Sequence, residues 1–305
     1  MIFVSFDWIV LGLHLTIKIF QLERPNIKTA FKSGLMDTSL QSPITSIDSD
    51  ECGHKVAVSL ENGSIILLST QNLRQLQEIS IKDTTPNSVD FSNDKFGPLL
   101  AVGCSDGTVR LFSGNSEVKR FTNQKGSILS VAFHPSKCIL AAASLDGTFS
   151  ICAQKNQTVK NEWSETVVEA SQMGLTAITW GPDGGSDMFL NVLVGGTDGV
   201  IRRFCTTGNK WEQCCAAQVH NGWVRSLASP NNPLASTFKA ASCGDDSVYV
   251  LKIINNENIE KTQIAPLDTP VNGVAWAMVD KTLVLSHKKE QTTMRTQNQN
   301  REWTQ

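Results

Sequence analysis

The sequence predicts an all-β fold, and three observations support this prediction. Short apolar segments are joined in pairs by turns that contain Asn-Gly or Asp-Gly. These pairs recur along the chain at a nearly constant interval. Only 18% of the 305 residues are charged, while 21 are glycine, which is typical of short strands and tight turns rather than of long helices.

The clearest repeats are three hairpin segments, LLAVGCSDGTVRLF (99–112), ILAAASLDGTFSIC (139–152) and VLVGGTDGVIRRF (192–204). Weaker copies lie at 56–68 and 239–251. Asn-Gly and Asp-Gly supply the positive φ values that a two-residue hairpin turn requires, so we expect these residues to have structural roles. The turn residues are Asn62, Gly63, Asp106, Gly107, Asp146, Gly147, Asp198, Gly199 and Asp245.

The spacing of these hairpins indicates the architecture. The first turn residues are separated by 44, 40, 52 and 47 residues, close to the roughly 40–45 residues of a WD-type propeller blade. A further apolar strand precedes each hairpin, and a sixth copy begins at Val271 with its turn at Lys289-Glu290. Trp163, Trp211 and Trp303 mark the fourth strands, where we expect them to pack between blades. Residues 41–305 are therefore predicted to form a propeller of six four-stranded blades, closed or left open.

Residues 1–40 are predicted to be a β-prone extension and linker. Apolar residues alternate with polar ones from Leu11, which predicts one strand up to Phe20, and residues 23–41 are expected to connect it to the propeller. Asp7 and Lys18 interrupt the apolar run and argue against a membrane span or a secretory signal.

Charge and cysteine content restrict the function classes. The chain has 27 Lys and Arg against 29 Asp and Glu, so a nucleic-acid partner is not expected. The eight cysteines include no Cys-x-x-Cys pair, and we interpret them as buried free thiols in a reducing compartment. They are Cys52, Cys104, Cys138, Cys152, Cys205, Cys214, Cys215 and Cys243.

No motif in the sequence indicates catalysis, a cofactor or a metal. The five histidines are scattered, and His220 is expected to form a structural hydrogen bond within its blade. The chain contains no nucleophile elbow, phosphate loop or zinc-protease helix. We predict a protein that is not an enzyme and has no catalytic, cofactor-binding or metal-binding residues.

Three longer segments, 90–112, 208–251 and 271–303, carry a family resemblance. They include Lys210-Trp211 at the start of an outer strand and the run His220-Asn221-Gly222-Trp223-Val224-Arg225 before the next blade. In this ordered combination the chain resembles the Sec-thirteen family, the small six-bladed subunit of the coat protein complex II outer cage that is shared with the nuclear pore scaffold. Residues 1–40 have no counterpart in this resemblance.

The resemblance implies a non-enzymatic scaffold that functions at endoplasmic-reticulum-derived vesicle coats in ER-to-Golgi transport, at nuclear pores, or at both. Its partner would be a large propeller-plus-solenoid coat subunit or a solenoid nucleoporin, whose strands complete a seventh blade. The protein would be cytoplasmic and peripheral to membranes, with no transmembrane segment. Strand alternation selects the residues expected to line the open position: Ile44, Ile47, Val58, Val274, Trp276, Leu283 and Leu285.

Alternatives remain at this stage. Residues 11–20 could occupy part of the open position in the same chain, or residues 1–40 could lie outside the fold. The protein could also be another WD-repeat scaffold, such as the sister nuclear-pore propeller or a peroxisomal targeting-signal receptor. A propeller hydrolase would require acids or histidines that converge at the channel mouth.

Overall fold

The computed structural model describes four strands of the N-terminal region and most of the chain from residue 40 onward. The described ranges after residue 40 are 40–72, 74–154, 162–183, 189–208, 210–230, 237–245, 247–254, 258–264, 270–277, 282–287, 292–297 and 303–304. Across these ranges and the N-terminal strands, 28 strands form seven antiparallel sheets of four consecutive strands each. The protein is therefore an all-β propeller, as predicted.

Six of these sheets are the predicted blades. The first blade contains β5 (Ile44–Ser49), β6 (Lys55–Leu60), β7 (Ser64–Ser69) and β8 (Gln75–Ser80). The second contains β9 (Pro86–Phe91), β10 (Leu99–Cys104), β11 (Val109–Ser113) and β12 (Ser116–Phe121), with a short 3-10 helix at Asp94–Phe96. The third contains β13 (Ile128–Phe133), β14 (Ile139–Ser144), β15 (Thr148–Gln154) and β16 (Trp163–Glu169).

The remaining three blades follow the same order. The fourth contains β17 (Leu175–Trp180), β18 (Asn191–Gly196), β19 (Val200–Thr207) and β20 (Lys210–Gln218). The fifth contains β21 (Val224–Ala228), β22 (Lys239–Gly244), β23 (Val248–Ile254) and β24 (Asn258–Gln263). The sixth contains β25 (Val271–Ala277), β26 (Thr282–His287), β27 (Thr292–Gln297) and β28 (Trp303–Thr304).

The N-terminal region forms a sheet of its own rather than the single strand that was predicted. This N-terminal sheet contains β1 (Ile2–Val4), β2 (Trp8–Leu13), β3 (Thr16–Gln21) and β4 (Lys32–Gly34). The predicted strand over residues 11–20 is wrong because β2 and β3 pair antiparallel, with Leu13 opposite Thr16. β4 also lies inside the stretch that was predicted to be a connection.

The core lies between neighbouring blades, where each sheet buries its apolar faces against the next. The ring of Trp163 in the third blade meets Phe121 of the second blade at a centroid distance of 6.1 Å. Trp211 in the fourth blade meets Phe149 of the third at 5.8 Å. These contacts confirm the predicted packing role of the two tryptophans. The ring of Trp303 meets Trp276 of its own blade at 6.0 Å, and it packs against the apolar cluster that joins the fifth and sixth blades.

The hairpin turns use the predicted residues in a different geometry. Cys104 N donates to Thr108 O at 2.9 Å, which leaves a three-residue loop, and Gly107 has a φ of +82°. Among the described non-glycine residues only Asp83 has a positive φ, so the expectation that Asn and Asp supply one is wrong. A three-residue hairpin loop needs only one residue with a left-handed backbone conformation, and glycine occupies that position. Gly63, Gly147 and Gly199 repeat this arrangement.

Two cysteines also differ from expectation. Cys205 and Cys214 form a disulfide across β19 and β20, with 6.5 Å between their Cα atoms, so the expectation of free thiols is wrong for this pair. The register between these strands shifts beside Cys214, which separates it from the regular alternation of its neighbours. The other six cysteines are free; five are buried, but Cys52 is exposed, so its expected burial is wrong. Burial raises the pKa of Cys104 to about 11, as suits an inert thiol in a core.

Candidate functional site

The face of the first blade that points away from the second blade is apolar. Alternation along β6 places Val56, Val58 and Leu60 on this face, and all three are buried. Ile47 from β5 and Leu68 from β7 complete the cluster. We call these five residues the closure face, because they line the position between the sixth and first blades.

Three of the predicted partner residues, Ile44, Ile47 and Val58, were expected to lie on this side of the first blade. Ile47 and Val58 belong to the cluster, and Ile44 packs against it while half-buried. The structure therefore places all three beside the break in the ring of six blades. Contact between these residues and a partner stays a prediction.

The four predicted residues of the sixth blade lie on the wrong face for that position. Val274, Leu283 and Leu285 are buried in a cluster with residues of the fifth blade. Trp276 Nε1 donates to Ala228 O of the fifth blade at 3.0 Å. Alternation puts Val284, which is also fully buried, on the opposite face of the sixth blade.

The position between the sixth and first blades is occupied by the N-terminal sheet. β1 lies beside β5 of the first blade and beside β25 and β26 of the sixth, and β2 also contacts β5. Ile17, on β3, is fully buried in the same cluster as the closure face. The expectation of a vacant position is therefore wrong, and the hypothesis that part of residues 11–20 fills it in the same chain agrees with this placement.

The recurring turn aspartates have structural partners. Asp106 Oδ1 accepts from Thr108 N at 3.0 Å, and Arg110 Nη2 lies 2.7 Å from Asp106 Oδ2. Asp198 forms the equivalent pair with Arg202. Equivalent backbone bonds run from Ser64 N to Asn62 and from Val200 N to Asp198, and Asp245 accepts from Arg225.

Asp146 shows why such a carboxylate stays ionised. Burial acts to raise the pKa of Asp146, but hydrogen bonds from Thr148 and from Lys125 N outweigh burial and lower the pKa to about 2. A carboxylate held this way stabilises the turn and is a poor proton donor or acceptor near neutral pH.

His134 and His220 serve packing and hydrogen bonding. His220 Nε2 lies 3.0 Å from Ser242 Oγ in the same blade, which confirms the predicted bond. His134 Nε2 lies 2.7 Å from Asp183 Oδ1, while Ser136 N donates to His134 Nδ1 at 3.2 Å. Burial lowers the pKa of His134 to about 4 despite the nearby carboxylate. The neutral ring with its proton on Nε2 fits these contacts.

A set of hydrogen bonds that was not predicted from the sequence joins the inner strands of neighbouring blades. Val89 N donates to Ser46 Oγ at 3.2 Å, and Val131 N donates to Ser88 Oγ at 3.1 Å. Ser46, Ser88 and Ser130 follow one another at intervals of 42 residues, a regularity that could have revealed them. These bonds connect successive blades through side chain and backbone.

Two aspartates form similar hydrogen bonds between the inner strands of neighbouring blades. Asp48 Oδ2 accepts from Phe91 N at 2.7 Å, and Asp90 Oδ2 accepts from Phe133 N at 2.6 Å. Burial raises the pKa of Asp48 to about 7, and burial together with the nearby Asp48 carboxyl raises that of Asp90. Burial and the interaction between the two carboxyl groups therefore favour a shared proton on this pair between the first and second blades.

The described residues show no arrangement typical of a metal site or a membrane helix. Within the ranges given above, no three or more His, Cys, Asp or Glu side chains are grouped to hold a metal ion. In the same ranges, no helix has the length and apolar character required to cross a bilayer.

Comparison with known proteins agrees with this architecture. The WD domain, G-beta repeat, family matches residues 77–113 and 115–151, so the fold is that of a WD-repeat propeller. The chain has a similar fold to a chain in the crystal structure of the mitotic checkpoint complex, with a TM-score of 0.76, 14% identity and coverage of 96% of this chain and 88% of that one. The RRP9 WD40 repeats are also similar, with a TM-score of 0.73, 15% identity and coverage of 93% and 86%.

Among curated proteins, the chain is similar to a Protein SEC13 homolog of Drosophila melanogaster. The two are 23% identical over 293 residues, which cover 88% of this chain and 81% of that protein. Protein transport protein sec13 of Aspergillus clavatus is 24% identical over 245 residues, 70% of this chain and 81% of that protein. The U3 small nucleolar RNA-associated protein 4 homolog of Mus musculus is 33% identical over 92 residues, but these cover 28% of this chain and 13% of that protein.

Proposed function

We propose that this protein is a non-enzymatic scaffold subunit of a vesicle coat of the coat protein complex II type, of the nuclear pore, or of both. Its place of action would be ER-derived vesicle coats or nuclear envelope pores. The similarity to SEC13 proteins extends over most of the chain and supports this proposal. The recurring turn acids and His134, His220 and His287 have structural partners, which agrees with a role in binding rather than catalysis.

One observation favours a particular binding position. The closure face is an apolar surface on the edge blade of the six-bladed ring, and its described cover belongs to a separate sheet. An apolar face of this kind is an association surface whenever it is uncovered. We propose that a larger partner, a propeller-plus-solenoid coat subunit or a solenoid nucleoporin, places its own strands against this face.

Affinity isolation of the tagged full-length protein, followed by mass spectrometry, tests the proposal. We expect a large coat or pore subunit to be recovered. A Val58→Asp variant places a charge on the closure face and should lose this partner. Leu76→Asp is the matched control, because Leu76 lies on the outer strand of the same blade and is 51% exposed.

Two outcomes would contradict the proposal. Recovery of proteins with peroxisomal targeting signals, and of no coat or pore subunit, would favour a receptor propeller. Equal recovery of the partner by both variants would exclude the closure face. Because Val58→Asp can unfold the blade, the milder Val58→Thr variant is tested as well. Circular dichroism shows whether each variant remains folded, so loss of the partner can be distinguished from unfolding.

A second candidate is a scaffold in a different assembly. The 33% identity to a U3 small nucleolar RNA-associated protein over 92 residues favours it, although this match covers 28% of the chain. The same isolation separates the two candidates, since this alternative predicts components of a nucleolar assembly instead of coat or pore subunits.

A further inference from the structure

The N-terminal sheet is connected differently from a blade that is shared between chain ends. Its ladders run from β1 to β2, from β2 to β3 and from β3 to β4. Each of the seven described sheets consists of four consecutive strands, so none combines strands from both ends of the chain. Among the described strands, no backbone ladder thus joins the N-terminal sheet to a blade, and Ile17 packs against the closure face.

The two outer ladders of the N-terminal sheet are short, although β2 and β3 share six paired positions. β1 and β4 have three residues each, and each contributes three paired positions. The neighbouring first blade has five paired positions between β5 and β6, and again between β6 and β7. Fewer ladder bonds make local opening of a sheet less costly.

The surface beneath this sheet is the closure face. Ile17 packs in the same cluster as this face, in which Val56 and Val58 are completely buried. The same face is the position at which the proposed partner would dock. Two sheets cannot pack against one face at once, so the N-terminal sheet and the partner exclude each other.

We propose that the N-terminal sheet is an exchangeable blade. It covers the closure face of the unassembled protein, and an antiparallel β segment of a partner, with one apolar face, replaces it during assembly. This inference rests on the proposed function for the identity of the partner. The exchange itself is a property of this chain and can be measured without that partner.

The test uses the complete chain with a protease site inserted between residues 34 and 40. After cleavage, a fluorescent peptide of residues 1–40 is added in excess as the probe. We expect the peptide to replace the cut segment, to a limit of one per protein, at temperatures well below global unfolding. The same peptide with Ile17→Asp should bind at least tenfold more weakly, and uncut protein should take up the peptide far more slowly.

Two results would overturn the inference. One is a cut segment that remains bound until the whole protein unfolds; the other is equal binding of the Ile17→Asp peptide. If cleavage unfolds the protein, hydrogen exchange of the uncut chain provides a second test. Backbone amides of β2 and β3 should then exchange hydrogen through a local opening that leaves β6 and β7 protected. If all four strands open together, the N-terminal sheet is not an exchangeable blade. Failure to isolate a coat or pore subunit would count against the proposed function alone.

Discussion

The two faces of the first blade are built from alternate residues of the same strands, yet they form different kinds of junction. Toward the second blade, Ile65 packs in a buried cluster, and Ser46 and Asp48 bind backbone N–H groups of β9. Toward the N-terminal sheet, the described contacts are the packing of Val58 and its neighbours on Ile17. Directional bonds add to packing at the junction with the second blade, while the apolar closure face is a surface that another apolar cover can also fit.

The largest expected effect tests this comparison directly. Ile65→Ala should lower the free energy of global unfolding by about 2–5 kcal/mol, because it leaves a cavity in a junction that opens only when the protein unfolds. Ile17→Ala should change global unfolding less, since the N-terminal sheet opens first. Chemical denaturation with hydrogen exchange measures both quantities. Equal losses in the global free energy would mean that the two junctions are equally permanent.

The acid pair on the second-blade side predicts a dependence on pH. Between the unfolded pKa near 3.8 and the raised pKa of Asp48 near 7, the folded protein keeps a proton that the unfolded chain releases, so stability falls as pH rises. The loss is at most about 4 kcal/mol, and less if the pair relaxes. Asp48→Asn should flatten the fall in denaturation profiles between pH 4 and 8. Glu61→Gln, at an exposed position, is the control, and an unchanged slope in Asp48→Asn would contradict the shared proton.

The fourth blade offers a third kind of linkage, because its outer strands are joined covalently. Loss of the Cys205–Cys214 disulfide by Cys214→Ser should lower stability by about 2–3 kcal/mol, the value expected for a short closed loop. Thiol titration of the unfolded, unreduced protein should detect six thiols, and eight after reduction. Eight thiols before reduction would show that the bond does not form.

The smallest expected effect concerns the turn that meets the connection into the second blade. Gly63 has a φ of +90°, and a Cβ atom there would overlap Ile81 O. Gly97 has nearly the same φ, +87°, with open space around it. Gly63→Ala should therefore cost about 1 kcal/mol more than Gly97→Ala in denaturant unfolding. Equal costs would mean that the turn moves away from Ile81 without loss.

The repeating hairpins were predictable because their causes are local. Asp-Gly and Asn-Gly turns, apolar alternation and a nearly constant spacing place all six blades close to where they are found. The turn at Lys289-Glu290 lies outside the described residues, but β26 and β27 pair antiparallel on either side of it, as the spacing indicates.

The candidate site was predicted less completely. Ile47 and Val58 lie on the closure face, while Leu283 and Leu285 pack toward the fifth blade. Every residue of β26 is buried, so period-two alternation divides the strand into two faces without showing which neighbour each one meets. Asp48 and Asp90 were missed because a pair formed between blades has no signal in either strand alone.

The sequence by itself determined the local units of this protein: the hairpins, the four-stranded blades and their order along the chain. Turn chemistry and strand alternation act over a few residues, so they can be recognised without coordinates. Only the tertiary structure decided how the ring closes, with β1 of the N-terminal sheet beside both β5 and β25. That closure joins segments more than 200 residues apart. It depends on which apolar faces pack together in the folded protein rather than on any local pattern.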